Sequence, residues 1–248
     1  MDKTSRFSDF SISGDLPTEV IALRTAGYYF AKNVFDRLFS LIVLLILSPI
    51  LALIAILIKM DSPGPVLFKQ KRVGAQLRNH HCCSQWERVD FTCYKFRTMQ
   101  DNADSKIHQA YVTALINHDE VTMRKMEGED SSLHKLTNDK RITRLGKFLR
   151  KSSLDELPQF INVLKGDMSV VGPRPAIPYE VDQYSPWHLR RLQTKPGITG
   201  LQQITARCTR SFDEQVSLDL QYILNQNFWL DLYIILRTPI AVFLQRGA

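Results

Sequence analysis

The chain has 248 residues, 44% hydrophobic and 23% charged, which excludes a disordered chain and suffices for one large domain or two small ones. Four cysteines, Cys82, Cys83, Cys93 and Cys208, do not make a disulfide framework in a chain this long, and they fit reducing surroundings. A formal net charge of +7 narrows the partners to nucleic acid, anionic lipid headgroups or phosphorylated substrates without choosing among them.

Residues 1–30 are mixed and polar and read as an N-terminal tail. The run from Leu38 to Ile58, LFSLIVLLILSPILALIAILI, then carries no charge. As one helix it would extend about 31 Å, close to the thickness of a hydrocarbon core. Two features favour a hairpin over a plain span. Ser48-Pro49 falls mid-run, where proline kinks or breaks a helix and leaves two arms of about 15 Å, one leaflet each. Lys32 and Arg37 precede the run while Lys59, Lys69, Lys71 and Arg72 follow it, so both flanks carry the positive charge that marks a cytoplasmic side. Spanning helices also contain proline, so the span remains a second reading.

Asp61-Ser-Pro-Gly-Pro65 predicts a turn, with Val66–Phe68 and Phe91–Tyr94 as short strands or buried segments. Between them His80-His81-Cys82-Cys83 resembles a metal site, but zinc ligand pairs leave two to four residues between them, and a solvated loop is the better reading. From Asp101 to His134 the spacing of Ile107, Tyr111, Ala114 and Leu115 predicts an amphipathic helix. Leu145, Phe148 and Leu149 predict another, with Lys140, Arg141, Arg144, Lys147, Arg150 and Lys151 around it. That cluster suits phosphates, lipid headgroups or plain solvent.

Ser153-Leu154-Asp155-Glu156 has the spacing of a capping box, and on that ground alone a helix start is the better reading of the two carboxylates. Leu157, Phe160, Ile161 and Leu164 give that helix a buried face, and Gly166 ends it. In Gly172-Pro173-Arg174-Pro175 two prolines stiffen the backbone around a guanidinium suited to bidentate phosphate binding, or to a structural ion pair. On a strand, Lys95 and Arg97 of Tyr94–Arg97 share one face. Lys195–Gly200 is a glycine-bounded loop able to admit a phosphate or nucleotide. Together these groups supply the carboxylates, cations and tight loop of phosphoryl transfer with a divalent ion. Ser211 and Glu214 form a second capping box. The helix they open leads to an apolar segment, Phe228–Leu236, that ends at Pro239, too short to span and suited to the membrane interface or to the core.

The ordered motifs resemble those of the bacterial sugar transferases. They are Lys32-x-x-x-Asp36-Arg37, the Ser-Pro-broken apolar run, SPGP, KQKRVG, YKFRTM, R-x-T-x-x-G-x-x-L-R, SLDELPQ, N-V-L-x-G-D-M-S-x-V-G-P-R-P and PGITG. That family is the small monotopic phosphoglycosyl transferases that start exopolysaccharide, O-antigen or glycoprotein glycan assembly. The likeness runs from about residue 31 to the C-terminus. It implies an α+β, mainly helical fold. Residues 31–60 would be a re-entrant membrane helix broken at Ser48-Pro49, and 61–248 a cytoplasmic catalytic domain with interfacial C-terminal helices at the bacterial inner membrane.

The resemblance further implies that Asp155 is the nucleophile and Glu156 its partner, both candidate ligands for Mg2+. A UDP-sugar would give its sugar phosphate to Asp155 with loss of UMP, and a polyprenyl phosphate such as undecaprenyl phosphate would take it. Arg174 would hold the phosphates, with Lys95 and Arg97 in support; Thr199, Gly200 and Arg207 would contact nucleotide or sugar. The implied partners are the UDP-sugar, the polyprenyl phosphate and inner-membrane lipid. Homo-oligomers are left open, and nucleic acid is excluded by the apolar run. The chain departs from the family pattern in a longer 73–90 segment, in Leu201–Arg207, which lacks the usual Trp and Gly, and in having no large N-terminal membrane domain. A membrane-anchored, lipid-binding scaffold without activity is the alternative that the capping box supports.

Overall fold

The computed structural model describes residues 26–79, 84–100, 106–117, 119, 121–123, 141–205 and 211–244. The His80–Cys83 run, Arg207, Cys208, residues 1–25 of the expected tail and much of the 101–134 segment lie outside the described residues.

The first element is α1, Ala26–Asp61. Ser48-Pro49 does not end it: the helix runs on through Pro49. Proline removes the N–H that would bond to Leu45, four residues back. The Ser48 hydroxyl donates to that same Leu45 carbonyl at 2.8 Å, so the orphaned acceptor is satisfied within the pair. Both flanks of α1 pack on the folded body. Tyr29, Asp36 and Ser40 are buried at one end and Ile54 and Ile58 at the other, while Leu41, Ile42, Leu45, Ile46, Ile50 and Leu53 between them are exposed.

Two thirteen-residue strands follow, β1 (Leu67–Asn79) and β2 (Ser84–Phe96), paired antiparallel from Leu67↔Phe96 to Asn79↔Ser84. The expected strands covered only their inner ends. Helix α2 (Lys106–Ile116) buries Tyr111 and Ala114 as its periodicity predicts. Helix α3 (Arg144–Lys151) is capped by the Thr143 hydroxyl on Gly146 N at 2.9 Å. A Cβ on Gly146 would stand 2.1 Å from the Thr98 carbonyl oxygen, so only glycine lets α3 lie flush on the end of β2. A 3-10 turn, Leu154–Glu156, leads to α4 (Gln159–Lys165), which Gly166 ends in the left-handed conformation at φ 88°.

The core gathers around β3 (Ser169–Val171) and β4 (Gly197–Thr199), a short parallel pair. Between these strands lie α5 (Pro178–Val181) and a 3-10 turn, His188–Leu192. After β4 come α6 (Leu201–Thr205), α7 (Phe212–Asn225) and α8 (Phe228–Leu244). Val163, Val170, Val171, Val216, Leu220, Ile223 and Ile234 form the central apolar cluster. The Ser211–Glu214 capping box forms as expected, with reciprocal bonds of 3.2 and 3.3 Å. The last helix corrects an expectation: α8 continues through Pro239 to Leu244. The fold is thus α+β and mainly helical, with one long apolar helix near its start.

Asn162 joins the hairpin to this core. Wholly buried on α4, its Oδ1 accepts from Tyr94 N at 3.0 Å and its Nδ2 donates to Thr92 O at 2.6 Å. The side-chain amide thereby serves the outer edge of β2 as a neighbouring strand would. Asn162→Ala would leave both backbone groups without this partner, and a stability loss of about 2–4 kcal/mol is expected in denaturant titration. A loss below about 1 kcal/mol would show that the clasp is dispensable.

Candidate active site

Asp155 stands on the 3-10 turn between α3 and α4, and its setting begins with Ser153. That residue has φ 56°, a left-handed conformation that costs a side-chain-bearing residue free energy and is concentrated at functional sites. The reversal turns the chain from α3 toward β2. It also defeats the expected capping box. The Ser153 hydroxyl makes no capping bond, and Glu156 Oε1 accepts from Lys95 Nζ at 2.7 Å.

Lys95 reaches Glu156 because of strand alternation. Cys93 and Lys95 share one face of β2, and Asn162 fixes the strand at Thr92 and Tyr94. Burial, and then the adjacent charge of Glu156, pushes the Asp155 carboxyl up to about 6; Lys95 and Arg150 pull it the other way. Arg150 is held in place by donating Nε to the Thr98 hydroxyl at 2.8 Å. Asp155 is therefore half-buried, next to one carboxylate and within the fields of two cations.

Arg174 lies exposed on the loop after β3. The loop is set by a close backbone pass: Gly172 N donates to Thr199 O at 2.9 Å and Gly197 N to Pro173 O at 2.8 Å. A Cβ on Gly197 would stand 2.1 Å from Gly172 N, and one on Gly172 would stand 2.4 Å from Lys195 O. The Gly-Pro-Arg-Pro and Pro-Gly-Ile-Thr-Gly segments are thus one structure. Its far side is held by β1, where Val73 N donates to Ala176 O at 2.8 Å and Arg72 Nη1 to Pro175 O at 2.8 Å. Cys93 is buried beneath, its thiol raised first by that burial and influenced by Lys95, Arg72, Glu156 and Arg174. Cys93 thus lies within the fields of both the Lys95–Glu156 pair and Arg174.

The structure brings together Asp155, Glu156 and Lys95, and sets Arg174 where Arg72 and Cys93 feel its charge. It gives the remaining expected residues other work. Arg97 is buried and donates to the carbonyls of Ser62, at 2.7 Å, and Pro63, which ties down the turn after α1. Thr199 is buried with its hydroxyl 2.7 Å from that of Thr238 on α8. Gly200 is buried against the Gly172 carbonyl. Both support the Arg174 loop from behind rather than line an open surface. Arg207 lies outside the described residues.

Sequence reasoning missed three neighbours of the site. Arg72 is buried, and burial followed by the like charge of Arg174 lowers it below the usual arginine range. Arg150 had been read only as part of a basic cluster. Tyr179, whose hydroxyl burial and Glu180 push up to about 12, feels Arg72 and Arg174. The KQKRVG and R-x-T-x-x-G-x-x-L-R motifs held the signal for the two arginines; nothing local marked Tyr179. Among the described residues no group of three or more His, Cys, Asp or Glu side chains could hold a metal by itself.

The family model of the bacterial sugar transferases matches residues 27–245. The chain is 38% identical over 233 residues to the exopolysaccharide production protein ExoY of Rhizobium meliloti, covering 94% of each chain. It is 37% identical to the undecaprenyl-phosphate galactose phosphotransferase of Salmonella typhimurium, over 88% of this chain and 42% of that protein. It is 36% identical to the UDP-glucose:undecaprenyl-phosphate glucose-1-phosphate transferase of Xanthomonas campestris pv. campestris, over 95% of this chain and 44% of that protein. The chain belongs to the bacterial sugar transferase family and is a transferase of phosphate-containing groups.

The Asp155 shift has a thermodynamic sign. A carboxyl raised from 3.8 to about 6 favours folding while protonated, and this contribution is lost as pH rises between those values. Asp155→Asn, with no charge to bury, should be more stable than wild type by about 1–3 kcal/mol at about pH 7, discounted for partial exposure. The gap, read as a difference in Tm, should close on going to about pH 4. A gap that does not change with pH would place the burden elsewhere.

Proposed function

We propose that this member of the bacterial sugar transferases moves a sugar 1-phosphate from a UDP-sugar to a polyprenyl phosphate through a phosphosugar-aspartate on Asp155. The observation that carries the reading is the half-buried Asp155 beside the Lys95–Glu156 pair, within the field of Arg150. A carboxylate oxygen of Asp155 attacks the sugar-bearing phosphorus. The bond from that phosphorus to the bridging oxygen breaks, and UMP leaves with the electron pair. An oxygen of the polyprenyl phosphate then attacks the same phosphorus, the Asp155 carboxylate departs, and a polyprenyl diphosphosugar forms. Arg174 and Arg150 stabilise the charge spread over the equatorial oxygens, and the Lys95–Glu156 pair orients Asp155. The names of the relatives, with their undecaprenyl phosphate and UDP-sugars, support this substrate class, and exopolysaccharide assembly as its setting.

The donor set fits Mg2+ as well. Two adjacent carboxylates, Asp155 and Glu156, are countered locally by Lys95 and Arg150. Mg2+ is usually held by one or two carboxylates together with substrate phosphates. These two side chains would hold it, and it would neutralise the diphosphate of the bound substrate.

We place α1 as a re-entrant arm in the cytoplasmic leaflet of the inner membrane, with the outer face of α8 at the interface. Support comes from the packing of both α1 flanks on one body around an exposed apolar middle, from cations on both sides of the run, and from Trp229, 75% exposed, and Tyr233 on α8. Cysteine-accessibility mapping of single cysteines placed before residue 37 and after residue 59 should label both from the same side. Opposite sides would replace the arm with a span.

With radiolabelled UDP-sugar, polyprenyl phosphate and Mg2+, Asp155→Asn should release no UMP and trap no label, and Arg174→Ala should lower kcat on the order of a hundredfold. The wild-type first half-reaction should weaken about tenfold per pH unit below about 6, as Asp155 takes up its proton. An Asp155→Asn chain at full turnover would refute the assignment.

A further inference from the structure

Helix α3 has a face that the chemistry above does not use. Leu145 and Leu149 turn inward and pack with Ile54, Ile58 and Phe96, and Gly146 lies on Thr98. At 100° per residue, Arg144, Lys147, Phe148 and Lys151 fall together on the opposite side, within roughly one third of the helix circumference. All four are exposed, Phe148 by 59%. No acidic residue lies in the helix. Arg150 projects from another side and is held by Thr98.

A solvated basic face accounts for three cations, but not for a phenylalanine displayed in their midst. Position supplies the reason. The residues of α1 that α3 covers, Ile54 and Ile58, alternate with the exposed Leu53, Ile56 and Leu57 of the same arm. The cationic face therefore continues the apolar surface where the arm joins the body. A surface next to inserted hydrocarbon lies at headgroup depth, where an aromatic ring enters the interface and lysines reach phosphates. Each such cation is attracted to anionic lipid within about a Debye length of the surface, about 8 Å in physiological salt.

We propose that Arg144, Lys147, Phe148 and Lys151 form a docking face for the anionic phospholipids of the bilayer, separate from the site that takes the lipid phosphate substrate. The proposal rests on the membrane placement of α1 argued above. It makes the lipid around the arm non-random: anionic headgroups collect beside α3 and press that helix, and the Ser153 reversal that follows it, onto the bilayer plane.

The test uses the full chain carrying Phe148→Trp in lipid discs of mixed phosphatidylglycerol and phosphatidylcholine. Bromine is carried on the acyl chains of one lipid or the other at equal mole fraction, and wild-type fluorescence is subtracted. Brominated phosphatidylglycerol should quench the added signal roughly twofold or more above brominated phosphatidylcholine, and high salt should erase the difference. Adding Arg144→Gln, Lys147→Gln and Lys151→Gln should bring the ratio to about one. No quenching by either lipid would reduce α3 to a solvated basic face. Equal quenching would leave an apolar contact without charge selectivity. Either result overturns the proposal while the chain still floats with lipid; a chain that does not float refutes the membrane placement as well.

Discussion

A single buried side-chain amide ties the outer edge of β2 to α4. Asn162 completes the edge of β2 from α4, and the site follows from that geometry. The strand face that carries Lys95 is fixed in rotation. Lys95 can then meet Glu156, the residue beside Asp155. Through Asp167 N and Met168 N, which donate to the Asn162 carbonyl, the same residue turns the chain into β3 and so toward Arg174. Loss of this amide would loosen the strand face that carries Lys95, while the Arg174 loop keeps its own bonds to β1 and β4.

The site achieves its electrostatics by close supply of opposite charges rather than by neutrality. Asp155 is raised by burial and by Glu156, yet Lys95 and Arg150 keep it within reach of ionisation near neutral pH. A carboxylate placed this way is more basic than one in water, and a more basic oxygen is a better nucleophile toward phosphorus. The arginines stand apart from it. Arg174 is held by backbone geometry between glycines and prolines, with no salt bridge of its own among the described residues, which leaves its guanidinium available to an incoming diphosphate.

Much of this was legible in the sequence, but unevenly. The Ser211 cap and the amphipathic α2 follow from local periodicity and spacing. The hairpin was seen only at its inner ends, because charged and polar residues of its outer half, such as Gln76, Arg78, Glu87 and Arg88, blur the alternation that marks a half-buried strand. The Ser153–Glu156 box failed for a tertiary reason. Its glutamate found a lysine 61 residues away in sequence, and a local cap loses to a charged partner in a half-buried site. Arg97, Thr199 and Gly200 lie in the expected neighbourhood and make structural contacts there, since spacing tells which residues cluster but not which way they face. The close pass of Gly172 and Gly197 had no local signature, because each glycine explains the other only after folding.

The seating of α1 has a consequence for how the protein is made. Lys32 on the arm donates to Asp231 at 2.6 Å, 199 residues later in the chain, and Tyr222 bonds the same aspartate at 2.7 Å. Asp36 likewise awaits the hydroxyl of Ser169. The arm is synthesised well before the residues that seat it. At roughly 5–20 residues per second, the arm waits on the order of 10–40 s with Lys32 lacking its partner on α8. The nascent arm therefore cannot complete its seating on the body until α8 has been made.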